Sequence, residues 1–453
     1  MGRTANRIII GLLIFLLFFQ ICYSSTSYVI QDDHSSNSII LKNIEKTKII
    51  LQAKTESLSI NNKKLKSIKT LDFFNIMLSE CAYRIQIKDS NNKRWEIPDH
   101  VFNNYENEEF HCQKFNPYPV LKKSQNEYIL QKPDLTNLVA LDIYNIIYSD
   151  LYIEFNLIFD NNIFFGIGER MANIQLKNGT YTVFNKDQQS PIEDGLGGKN
   201  IYGSQPFLIS KTKNNEFLGI YFRNSNYMDI IISNKIVKFK TTGGIIDLYI
   251  LFHPNAENLI QNFHTIIGKP YFPPFWSFGY HQSRWGYTNV REIREVVNKF
   301  KLNDVPLDVI WNDIDVLNKF KIFTVDTYNF PDLFSTIEGF HEQDIKYVPI
   351  VDAGIAIDHS NKFFSNIECS CIRSSITKLP VVGSVWGGKS IFPDFLNPNT
   401  SEIWHGGMND FLVLANYDGI WLDMNEIANL QFGESIVLSY HDCSRLENEP
   451  SDL

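Results

Sequence analysis

From residue 275 to residue 423 the chain alternates short apolar runs with longer stretches of helical spacing, and no other feature constrains its fold as tightly. Phe275-Trp-Ser-Phe-Gly279 opens the series, and a helix is expected from about Asn289 to Leu302. Leu307-Asp-Val-Ile-Trp311 comes next, then a helix around Leu333 to Gln343, then Tyr347-Val-Pro-Ile-Val351. A helix from Thr400 to Tyr417 leads into Gly419-Ile-Trp-Leu422. Runs this short and this apolar suit strands buried on both faces, and parallel neighbours need a helical crossover between them. Units of about 35 to 65 residues predict a parallel (β/α)8 barrel.

Each run also releases polar or aromatic groups at its C-terminal end, where barrel enzymes place their chemistry. The first gives His281, Arg284 and Trp285, and the second gives Trp311, Asp313 and Asp315. The third gives Asp352, the following loop gives Trp386 and Asp394, and the last gives Trp421, Asp423 and Glu426. A lone Asp313 or Asp352 reads equally well as a helix cap; the repetition at one end of every run points instead to a shared mouth. Carboxylates accept hydroxyl protons, tryptophan faces supply an apolar floor, and Arg284 can hold one carboxylate charged. The expected ligand is a neutral, polyhydroxylated one.

The earlier part of the chain has a different grammar. Tyr83-Arg-Ile-Gln-Ile-Lys88, Leu151-Tyr-Ile-Glu-Phe-Asn-Leu157, Gly179-Thr-Tyr-Thr-Val-Phe184, Phe217-Leu-Gly-Ile-Tyr-Phe222 and Ile245-Ile-Asp-Leu-Tyr-Ile250 are strand-like. Many short strands separated by turn residues predict a β-sandwich over 26–255. Residues 256–274 read as a helix and a proline-rich linker, and 275–453 as barrel. Residues 1–25 read as a secretory signal: Arg3 and Arg7 precede the twelve-residue apolar run Ile8 to Phe19, too short for a span of about twenty. The expected location is the secretory pathway, with no stable membrane span. In an oxidising compartment Cys81 and Cys112 are the first candidates for a disulfide. A net charge of −9 without a basic stripe argues against nucleic acid. Cys369-Ser-Cys371 is too closely spaced for a zinc pair, so neither metal nor cofactor is expected. Asn178-Gly-Thr180 and Asn399-Thr-Ser401 are glycosylation sequons.

Several motifs carry a family resemblance. They include Phe165-Gly-Ile-Gly-Glu-Arg170, Gly203-Ser-Gln-Pro-Phe207, Arg223-Asn-Ser-Asn-Tyr-Met-Asp229 and Gly279-Tyr-His-Gln-Ser-Arg-Trp-Gly-Tyr287. Asp308-Val-Ile-Trp-Asn-Asp-Ile-Asp315, Val351-Asp-Ala-Gly354, Val385-Trp-Gly-Gly388 and Trp421-Leu-Asp-Met-Asn-Glu426 continue them in collinear order. The chain resembles family 31 of the glycoside hydrolases, the α-glucosidases of secreted, lysosomal and plant type. The resemblance implies a galactose-mutarotase-like sandwich followed by a (β/α)8 TIM barrel. It implies Asp423 as catalytic nucleophile, with Asp313, Asp352, Trp386, Trp421 and Met424 gripping a terminal glucose beside Trp311. Arg284 matches a position near the nucleophile, and Glu426 is expected to orient Asp423 or its loop. The substrate implied is an oligosaccharide or small α-glucoside, hydrolysed with retention, in a secreted or lysosomal/vacuolar protein; α-xylosides or α-galactosides are the variants.

Retaining hydrolysis needs a second, protonated carboxyl about 5–5.5 Å from the first. The resemblance places that acid well beyond the nucleophile, whereas 30 residues follow Asp423 here and His441 to Leu453 is polar with no sign of starting another strand unit. No acid/base residue is therefore assigned in this chain, which is expected to be truncated, lacking half of the barrel. Exposed sheet edges would leave it poorly soluble and inactive. The alternative reading is a catalytically inactive, carbohydrate-binding remnant.

Overall fold

The computed structural model describes residues 28–32, 44–53, 59–60, 63–68, 70–101, 110–112, 118–124, 126–185, 199–374 and 377–430. The leader expected over 1–25, Cys22 and Cys443 lie outside them. The chain divides into two units, Met1–Lys269 and Pro270–Leu453.

Among the described residues of the first unit, a nine-stranded and a seven-stranded antiparallel sheet carry most of the chain. The sequence periodicity explains why they face each other. Along Ile153–Phe159 every second residue is buried, and Phe155 stacks on Phe239 of its own sheet while meeting Phe222 of the other sheet edge-on at 5.2 Å. Two sheets that present alternate apolar side chains bury them only against one another. The strand Ile246–His253 is buried at every position. One face looks into the sandwich core, and the other is covered by helix α1 (Ala256–Ile267). That helix starts where the Asn255 side chain accepts the backbone N–H groups of Glu257 and Asn258. Its Phe263 ring lies flat on Phe207 at 3.9 Å, so α1 packs onto the sandwich. Cys81 and Cys112 are joined in a disulfide, the pairing suggested by sequence.

In the second unit four parallel strands form one sheet, in the order β1 (His281–Gln282), β2 (Val309–Asn312), β3 (Lys346–Asp352) and β7 (Trp421–Asp423). Helices α2 (Val290–Leu302) and α3 (Leu333–His341) make the crossovers between successive strands of the first three. Between β3 and β7 runs an excursion: β4 (Ile355–Ala356), helix α4 (Lys362–Ile367), the hairpin β5 (Val382–Val385) and β6 (Gly388–Ile391), and helix α5 (Pro398–Ala415). Ile310, Tyr347 and Val351 share a core with Ile293 and Val297 of α2 and Ile337 and Phe340 of α3. Asn289 and Asn397 cap α2 and α5 through their side chains.

One strand differs from expectation. Phe275–Phe278 forms a 3-10 turn, and the first strand begins at His281. The backbone N–H and the hydroxyl of Ser277 both donate to the Pro274 carbonyl, closing a turn that an extended chain could not make. Position 279 has to be glycine because of Asp308: a Cβ there would lie 2.2 Å from Cγ of Asp308, whose carboxylate accepts the Tyr280 N–H at 2.7 Å.

Candidate active site

Strand geometry sorts the side chains. Successive residues point to opposite faces, so positions two apart share one. Ile350 and Asp352 on β3, and Trp421 and Asp423 on β7, are such pairs, and Trp311 on β2 is matched by Asp313 one residue past its end, where the backbone is still extended. The alternate set, Ile310 and Tyr347 among it, packs towards the helices. Each strand thus delivers an apolar residue and then, one step nearer its C-terminal end, a carboxylate.

The carboxylates are close enough to feel one another. Asp352 and Asp423 are register partners on β3 and β7. Asp352 is 1% exposed, and its Oδ1 has no hydrogen-bond partner among the described residues. Burial, reinforced by the charges of Asp423 and then Asp313, pushes its pKa up to about 7. Asp313 is also raised, chiefly by burial, with Asp315 and Asp423 contributing and the Ile314 N–H opposing. Asp313 therefore has two tasks: its Oδ1 caps the short 3-10 turn at Ile314–Val316, and its charge faces Asp423.

Beneath them lies a run of rings. Trp276 is 6.2 Å from His281, His281 is 5.7 Å from Trp311, and Trp311 is 5.6 Å from Trp421. Gly419 leaves room for this run, since a Cβ there would be 3.3 Å from the Trp276 ring. Asp418, first residue of the stretch ending in Glu426, serves the opposite end of β7. It accepts from the Tyr347 N–H at 2.8 Å, pairs with Lys346, and lies 2.7 Å from Nε2 of His341.

After Asp423 the chain turns sharply. Met424 is in the left-handed region at φ 62°, and the Ala428 N–H donates to its carbonyl, with half-buried Glu426 inside the turn. Asn429 Oδ1 then accepts the Ser384 N–H at 3.0 Å, and the Leu430 N–H donates to Ser384 O. This joins the loop after Asp423 to the β5–β6 hairpin, whose turn carries Trp386, 48% exposed. Gly383 opposite leaves the space that the Asn429 amide occupies.

Arg284 is the expected site residue that the structure does not bring in. Its Nε donates to the Trp285 carbonyl at 3.0 Å and its guanidinium lies over Tyr287. It lines a groove with Glu292, Glu295 and Lys299. Among the described residues it pairs with none of the three aspartates. The local peptide and ring satisfy it first.

A sandwich followed by a barrel domain with carboxylates at its strand ends is an architecture of carbohydrate hydrolases. The family model for the glycosyl hydrolases family 31 TIM-barrel domain matches residues 270–449, and that for the glycosyl hydrolase 31 N-terminal galactose mutarotase-like domain matches 31–230. The chain belongs to glycoside hydrolase family 31. It is 28% identical to the lysosomal alpha-glucosidase of Mus musculus over 397 residues, 85% of this chain and 40% of that protein. It is 30% identical to the intestinal sucrase-isomaltase of Homo sapiens over 369 residues, 78% of this chain and 20% of that protein. The crystal structure of an ER glucosidase II complex matches with a TM-score of 0.70 at 17% identity, over 91% of this chain and 53% of that one. The chain thus spans less than half the length of these curated relatives. No helix among the described residues is long and apolar enough to cross a membrane.

Proposed function

We propose that this chain carries the sugar-gripping mouth and the nucleophile of a glycoside hydrolase that releases terminal α-linked glucose with retained configuration. The observation that carries the reading is that Asp352 and Asp423 are in register on adjacent strands and that the Asp423 charge acts on both Asp352 and Asp313. In this reading Asp423 attacks the anomeric carbon as the glycosidic C–O bond breaks, forming a glycosyl ester that water later opens. Asp352 and Asp313 take the sugar hydroxyls. Asp352 is too buried to follow a departing group, so it binds rather than acts as the acid. Trp311, Trp421 and Met424 form the apolar floor, Trp386 stands at the rim, and Glu426 shapes the loop. The leader, the sequons and relatives named as lysosomal and intestinal support passage through the secretory pathway.

The test uses an α-glucosyl fluoride carrying a second fluorine at C5. Fluoride leaves with the bonding electron pair and needs no general acid, so the experiment isolates the nucleophile. The expected result is an ester on the peptide that contains Asp423, seen by mass spectrometry and absent from Asp423→Asn. A label on another residue, or none, overturns the assignment; sugar binding without any ester favours the non-catalytic remnant.

A further inference from the structure

We infer that His281 is a positioning residue, which holds the Trp311 indole in place as a neutral imidazole with its proton on Nε2. The inference rests on the reading of this mouth as a sugar site. The tautomer is set by its two neighbours. The Trp311 indole is a donor only, and its Nε1–H reaches Nδ1 of His281 at 3.0 Å. The Ser277 carbonyl is an acceptor only and lies 3.1 Å from Nε2. Nδ1 must therefore accept and Nε2 must donate; an imidazolium, with donors on both nitrogens, would set N–H against N–H at Trp311.

The consequence reaches the carboxylates through rings. Trp311 is 5.6 Å from Trp421, and Trp421 lies two residues before Asp423 on the same face of β7. Trp276 backs His281 from the far side, at 6.2 Å and nearly parallel. An indole without an acceptor would be free to turn, because Trp311 is only half-buried. His281 thus sets the tilt of the floor on which a pyranose would rest. Its ring is flanked by Trp276 and, edge-on, by Trp311, and both of its nitrogens are engaged, which leaves it no part in proton transfer.

The full chain labelled with 15N-tryptophan supplies seven indole N–H resonances, one for each Trp. That of Trp311 is assigned by its loss in Trp311→Phe. In His281→Phe, which has no acceptor, the Trp311 resonance is expected to move upfield and exchange faster with solvent. In His281→Asn, whose Oδ1 can take the place of Nδ1, both properties are expected to return towards those of the unmodified chain. Affinity for the glucose-shaped iminosugar 1-deoxynojirimycin is expected to fall about tenfold in His281→Phe, the value of one hydrogen bond, and to recover in His281→Asn. An unmoved Trp311 resonance in His281→Phe overturns the inference, as does unchanged affinity once the resonance has moved. A chain that binds no iminosugar overturns the sugar reading of the mouth, and the resonance alone then decides on His281.

Discussion

Asp352 and Asp423 stand side by side at the same register on adjacent parallel strands, and the charge of Asp423 makes Asp352 harder to ionise. Such a pair is costly to keep in a fold, because among the described residues no hydrogen-bond donor offsets the buried Oδ1 of Asp352.

The first prediction concerns pH. The folded pKa of Asp352, about 7, lies above its unfolded value of about 3.9, so the native state binds the proton more tightly. The contribution of this residue to stability is therefore greatest in acid, falls as pH rises from about 4 to 7, and is lost above that. A shift of about three units corresponds to roughly 4 kcal/mol at most. Asp352→Asn should be more stable than the unmodified chain at pH 8, and the difference should shrink towards pH 4.5. Urea midpoints at the two pH values check this, and the same variant should bind sugar more weakly.

Removal of the neighbouring charge should act in the same direction. Asp423→Asn takes away the largest charge contribution at Asp352 but leaves its burial. The Asp352 pKa should fall yet remain above the ordinary carboxylate value. A 13C carboxyl titration by NMR reads this directly.

Gly279 and Asp308 form a steric pair. Gly279→Ala places a methyl group against the Asp308 carboxyl and should destabilise the second unit by roughly 1–3 kcal/mol. Asp308→Ala gives up the hydrogen bond to Tyr280 but clears the space. The double variant should lose less than the sum of the two singles, as measured in a denaturant double-mutant cycle.

The Cys81–Cys112 link closes a loop of sequence separation 31. Chain entropy predicts that opening it costs about 3–4 kcal/mol. Cys112→Ser should lower the unfolding midpoint of the first unit under non-reducing conditions and leave that of the second unit unchanged.

The sequence made the carboxylates legible because strand geometry is local: a run such as Ile420-Trp-Leu422 ending in Asp423 states both its burial and its direction. The start of α2 was legible for a similar reason, since Asn289 can cap without help from the rest of the fold, whereas α5 begins at Pro398 behind its Asn397 cap, two residues before the expected Thr400. Phe275–Phe278 was not, because four residues after two prolines, three of them aromatic, fit a strand or a tight turn equally, and the Ser277 hydrogen bonds decide. Arg284 shows a second limit. A long cation beside an expected carboxylate cluster reads as its counter-ion, yet a carbonyl one residue away and a ring three residues away hold it. The place of α1 depended on Phe207, far from it in sequence, and composition cannot express such a contact.

The two hydrogen bonds at Ser384 have a mechanical outcome. Because Asn429 and Leu430 are both fastened to that one residue, the Trp386 hairpin and the chain leaving Asp423 are tied together at a single point. A guest that displaces the Trp386 rim is therefore expected to strain this tie, which lies a few residues from the proposed nucleophile.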